Sequence, residues 1–86
     1  MTADPTAIAT AILGLLATRG ADRTVSTEEV ARALAQDSDW HSYLGGVRRA
    51  AVSLALDGRL VIYRKGKAVD PADFKGVYRL GLPRHD

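Results

Sequence analysis

Few residues in this chain could make or break bonds. There is no cysteine, which removes thiolate nucleophiles, disulfides and Cys-based zinc sites together. Of the two histidines, His85 stands one residue from the last and is expected to be solvated. His41 follows Trp40 and falls off the apolar stripe described below, with no acidic or nucleophilic side chain at helical spacing. It reads as an exposed histidine in the first turn of a helix. Asp70 and Asp73 could suggest a cation, but two carboxylates on a loop fall short of the roughly six oxygens a calcium ion takes. Capping of a turn explains them more simply. Glu28-Glu29 suits the positive end of a helix, and Gly45-Gly46 lacks both the strand and the spacing of a phosphate loop. The expectation is a protein with no catalytic residue, metal or cofactor.

Binding chemistry is better represented. Net charge is only +2, but residues 1–40 hold three basic and six acidic side chains, and residues 41–86 hold nine basic and four acidic. The first stretch therefore carries −3 and the second +5, a mild sign of a polyanion-facing half. One candidate cluster is His41, Ser42, Gly45, Arg48 and Arg49, on the helix face opposite the buried stripe. Arginine can bond guanine or phosphate in bidentate fashion, and serine or histidine can take either role. The second cluster is Arg64, Lys65 and Lys67, with Gly66 allowing close backbone approach. Ser26 and Thr27, opening a helix, could meet phosphate through its N-terminus.

Each cluster has a plainer reading of equal weight: Arg48 and Arg49 solubilise a helix, and Arg64–Lys67 is an exposed loop. Taken together they favour double-stranded DNA. The alternative is a protein-interaction or homodimerisation module. Val52 and Leu56 lie away from the stripe, Ile8, Leu13 and Leu16 exceed what one thin face requires, and Glu28, Glu29 and Asp37 would repel DNA lying against them.

The elements that must position these groups are legible in outline. Asp4-Pro5 opens helix 1, with Ile8, Ile12, Leu15 and Leu16 on one face and Arg19-Gly20 closing it. Gly14 lowers helix propensity, for which close approach of another helix is the expected reason. Ser26 to Glu29 matches a capping box, with Val25 and Val30 as its hydrophobic staple. Helix 2 then runs to about Gln36 with Val30 and Leu34 inward, and Thr24-Val25 is a possible scrap of strand. Helix 3 starts after Ser38-Asp39 and carries the stripe Trp40, Leu44, Val47, Ala51 and Leu54 to a glycine cap at Asp57-Gly58. Gly45-Gly46 marks either a break after a first tight turn or a close backbone approach; the break is preferred. Leu60–Arg64 and Gly76–Leu82 read as two strands, joined by a connection, Lys65–Lys75, with room for a helical turn across Pro71–Phe74.

Three helices followed by a two-stranded antiparallel wing make a mostly helical α+β fold, the winged helix-turn-helix. The runs ILGLLATRG (12–20), TVSTEEVARAL (24–34), Asp39-Trp40, VRRAAVSLALDGRL (47–60), RKGKAVDP (64–71) and GVYRLGL (76–82) resemble the bacterial domain-of-unknown-function family numbered 3253. The resemblance spans about Ala7 to Leu82 and implies a small stand-alone winged-helix protein. That family has no assigned activity, so no site residue is carried over.

Eighty-six residues suit one domain, structured over about 5–82 with a short tail at 83–86. The apolar run Ala7–Ala17 has signal-peptide length, but Met-Thr-Ala-Asp-Pro before it has no basic residue, and the run is too short to span a bilayer. A buried helix in a cytoplasmic protein is the expectation.

Overall fold

The computed structural model describes residues 5–20, 23–36 and 38–83. Asp4, Asp37 and His85 lie outside them. Three α-helices and a four-stranded antiparallel sheet are arranged in the order α1 (Pro5–Arg19), β1 (Thr24–Ser26), α2 (Thr27–Ala35), a 3₁₀ turn (Trp40–Tyr43), α3 (Leu44–Leu56), β2 (Val61–Arg64), β3 (Lys67–Ala68) and β4 (Arg79–Gly81). The class is α+β and mostly helical.

Local signals set the helix ends. Ser26 Oγ accepts from the Glu29 amide at 3.1 Å, and the Glu29 carboxylate returns to the Ser26 amide, completing the capping box. Val25 and Val30 beside it are both fully buried. At the end of α3 the Arg59 amide donates to the Leu54 carbonyl at 2.9 Å and the Gly58 amide to Ala55 at 3.0 Å. This paired closure puts residue 58 at φ +77, where glycine carries no Cβ penalty. The stripe of helix 3 is buried at Val47, Ala51 and Leu54 and half-buried at Trp40 and Leu44. Ile8, Ile12 and Leu16 face it from α1.

Four expectations need correction. The two strands expected as a hairpin are part of a larger sheet of order β1-β4-β2-β3, in which Val25, Leu80 and Ile62 stand side by side as the sheet's buried row. The scrap of strand at Thr24 therefore has a partner, and it lies at the far end of the sequence. Pro71–Phe74 forms no helical turn; Asp70 Oδ1 accepts from the Ala72 amide and the Asp70 carbonyl from the Asp73 amide, which closes a tight turn. The break in helix 3 falls before the glycine pair, at Tyr43-Leu44, where 3₁₀ gives way to α. Finally, Gly14 has nothing within 4 Å of where a Cβ would sit, whereas at Gly46 that position is 2.9 Å from Ile8 Cδ1. Helix approach occurs at Gly46, where the α1–α3 packing needs it.

Among the described residues no helix is long and apolar enough to cross a membrane.

Candidate nucleic-acid interface

Arg48 and Arg49 are neighbours on α3, and both are exposed, yet they are engaged differently. Arg48 reaches the segment before β4. Its Nη2 donates to the Phe74 carbonyl at 3.1 Å, and its guanidinium lies 4.2 Å from the Phe74 ring centre and 5.6 Å from that of Tyr78. The two rings meet edge to face at 4.9 Å. Burial pushes the Tyr78 hydroxyl above the ordinary tyrosine value, and the nearby Arg48 cation offsets part of that rise. Arg49 instead lies over the glycine pair, its Nη1 3.4 Å from where a Cβ on Gly45 would sit. Among the described residues its side chain has no hydrogen bond or ion pair.

His41 and Ser42 sit in the 3₁₀ turn, ahead of α3 and not in its first turn as expected. Both are exposed. The His41 partner missed by helical spacing is Asp39, two residues back, whose Oδ1 lies 2.9 Å from His41 Nδ1 and also accepts the His41 amide. The hydrogen bond from the His41 side chain, followed by that from its amide, holds the Asp39 carboxyl below the usual aspartate range. The His41 ring stacks on Trp40 at 3.7 Å, and Arg32 of α2 approaches the same indole at 4.8 Å. Ser42 Oγ donates to the Asp39 carbonyl. These residues are tied into the turn and remain open to solvent.

Arg64, Lys65 and Lys67 lie on and around the β2–β3 turn. Arg64 and Lys67 pair across the strands, and Lys65 and Gly66 between them both have positive φ, at 53° and 82°. Two such residues form the tight hairpin whose twist matches its strands. Lys65 and Lys67 point to solvent without a partner among the described residues. Arg64 is half-buried and acts within the fold, its Nε donating to the Val77 carbonyl at 3.3 Å while its guanidinium packs on Gly76. Arg48 and Arg64 thus grip the same short segment, residues 74–77, from α3 and from β2. Exposed Lys75 sits in the middle of that segment.

Lys75 was not among the residues singled out from sequence, because only the two arginine contacts bring it beside both clusters. Arg79 was also missed, because its partners lie about fifty residues earlier in the chain. It spans from β4 to β1, with Nε 2.7 Å from Thr24 Oγ1, and approaches Glu29, which also pairs with Arg19. Glu28 pairs with Arg32, so both glutamates expected to repel DNA carry their own counter-charges. Ser26 is consumed by its capping box. Val52 packs against the core, as does Leu13, while Ile8 and Leu16 are buried, so the apolar surplus of helix 1 is absorbed within the fold. Leu56 and Val77 are the exposed large apolar side chains, at 65% and 88%. Among the described residues no group of acids or histidines could hold a metal ion.

No curated protein is significantly similar to the chain. The family model described as protein of unknown function (DUF3253) matches residues 5–83, which takes in every element of the fold. The chain belongs to that family.

Proposed function

We propose that this protein is a non-catalytic winged helix-turn-helix that binds double-stranded DNA. The start of α3, with the 3₁₀ turn ahead of it, enters the major groove, and the β2–β3 turn rests on flanking phosphates. Helices α2 and α3 are the helix-turn-helix pair in this reading, and β2, β3 and β4 form the wing.

The observation that carries the proposal is the bridge between the two basic clusters. Arg49 adjoins Arg48, which lies on Phe74; Lys75 follows; Gly76 and Val77 lie on Arg64; and Lys65 and Lys67 follow in turn. Exposed cations that adjoin two arginines braced on one short segment suit a phosphate backbone better than scattered solubilising charges would. Ser42 and Gly45, both exposed, add small groups at the outer start of α3.

The test is fluorescence anisotropy on a labelled random duplex at low salt. Arg49→Ala, Lys75→Ala and the double variant Lys65→Ala/Lys67→Ala should each weaken binding, while Arg32→Ala on α2 should not. No binding by the unmodified protein, or equal losses in all four variants, would refute the proposal.

The second reading is a protein partner or a homodimer, favoured by the exposure of Leu56 and Val77. A mass by light scattering that rises with concentration, and falls back in Leu56→Ser or Val77→Ser, would support it. A monomer at every concentration removes the homodimer.

A further inference from the structure

A groove of about 720 Å³ lies along the seam between the N-terminal half of α1 and α3. That volume is in the range of small-molecule sites, roughly 300–1,000 Å³. Apolar groups from α1, α3 and the 3₁₀ turn line it, among them Ile8, Ala9, Leu54 and Tyr43, and Arg49 and Arg59 lie in its wall. Neither guanidinium has a hydrogen bond or ion pair among the described residues, although Asp57 shares the wall with them.

The glycine pair bears on what this groove is for. Each glycine lowers helix propensity by about 1 kcal/mol relative to alanine. Ile8 accounts for Gly46, because a Cβ there would collide with its tip. Core packing does not account for Gly45, which is exposed, and whose Cβ would meet only the Arg49 guanidinium at 3.4 Å. The Arg49 head thus lies close along α3, in ordinary contact distance of position 45 and beside the groove.

We infer that the groove binds a small amphipathic carboxylate. The apolar body would lie against Ile8, Ala9 and Leu54, and the carboxylate would be held by Arg49 with Arg59 nearby. A planar guanidinium suits a carboxylate in bidentate fashion, and its charge-assisted bonds strengthen against an apolar wall. This inference does not rest on the DNA reading, and its test contains no DNA.

The experiment is a titration of the ¹⁵N-labelled full chain with benzoate and hexanoate, each against its own neutral amide, followed by amide chemical shifts. The carboxylates should shift Ala9, Ser42, Gly45 and Gly46 and bind about tenfold more tightly than benzamide and hexanamide. Arg49→Gln should remove that preference while the apolar contribution stays, and Ala9→Trp, which fills the groove, should abolish binding of both. Three results would overturn the inference: no shifts at millimolar ligand, equal affinity for acid and amide, or shifts centred on Lys65 and Lys67. A doubled mass without ligand that Ala9→Trp returns to the monomer would assign the groove to a second copy and overturn it too.

Discussion

Arg48 and Arg49 are identical in type and adjacent in sequence, and the structure predicts that they fail differently when replaced. Arg48→Ala removes a cation–π contact on a buried ring, worth about 0.5–1 kcal/mol in a partly exposed setting. It also removes a charge-assisted hydrogen bond to the Phe74 carbonyl, taken here as about 1 kcal/mol because the guanidinium is partly in solvent. The loss should total roughly 1.5–2 kcal/mol. In a domain of this size each kcal/mol moves the melting midpoint by about 4–8 °C, so Arg48→Ala should melt around 10 °C lower. Arg48→Lys keeps the charge but loses the flat stacking surface, and should recover about half of the loss. Arg49→Ala breaks no side-chain hydrogen bond or ion pair among the described residues and should stay within about 0.5 kcal/mol of the parent. Calorimetry or thermal circular dichroism on the three variants decides the matter. Equal melting points for Arg48→Ala and Arg49→Ala, or a larger loss at Arg49, would refute the assignment of Arg48 as a brace.

The glycines supply a second contrast. Gly14→Ala meets open space and should stabilise by about 0.5–1 kcal/mol through helix propensity, whereas Gly46→Val must displace buried Ile8 and should cost about 1–3 kcal/mol; denaturant midpoints measure both. Tyr78 should give a pH signature. Its folded pKa is raised above the unfolded value of 10.0, so its contribution is intact below that value and is lost as pH rises through the folded pKa. Denaturant unfolding across the alkaline range should therefore show a decline that Tyr78→Phe flattens. The ultraviolet titration of Tyr78 should move further upward in Arg48→Ala, since the offsetting cation is gone.

What the sequence made legible follows the range of each interaction. The capping box at Ser26–Glu29, the closure at Gly58 and the buried stripe through Val47, Ala51 and Leu54 are local, so spacing alone placed them. The sheet could be read only in part. Its strands are two to four residues long, too short for alternation to speak, and the register of Val25 on Leu80 joins segments from opposite ends of the chain. The glycine pair allowed two readings because a helix break and a helix approach make the same demand on sequence. Only the position of Ile8 separates them. The candidate site divides in the same way. Residue type identified the cations, but nothing short of tertiary contact could tell that Arg48 and Arg64 brace the segment at 74–77 while the side chains of Arg49, Lys65 and Lys67 have no partner among the described residues. Lys75 had no local signal at all, since its place depends on contacts made by two residues distant in sequence.

The central claim is that the unpaired cations around α3 and the β2–β3 turn engage a phosphate backbone, and the salt dependence of duplex binding tests it most directly. If Arg49, Lys65, Lys67 and Lys75 each neutralise one phosphate, the slope of log affinity against log salt should be near −3.6, so affinity should fall by about 150-fold between roughly 50 and 200 mM salt. The Lys65→Ala/Lys67→Ala variant should flatten the slope by about two contacts. A slope near zero, or a slope unchanged in that variant, would contradict the account.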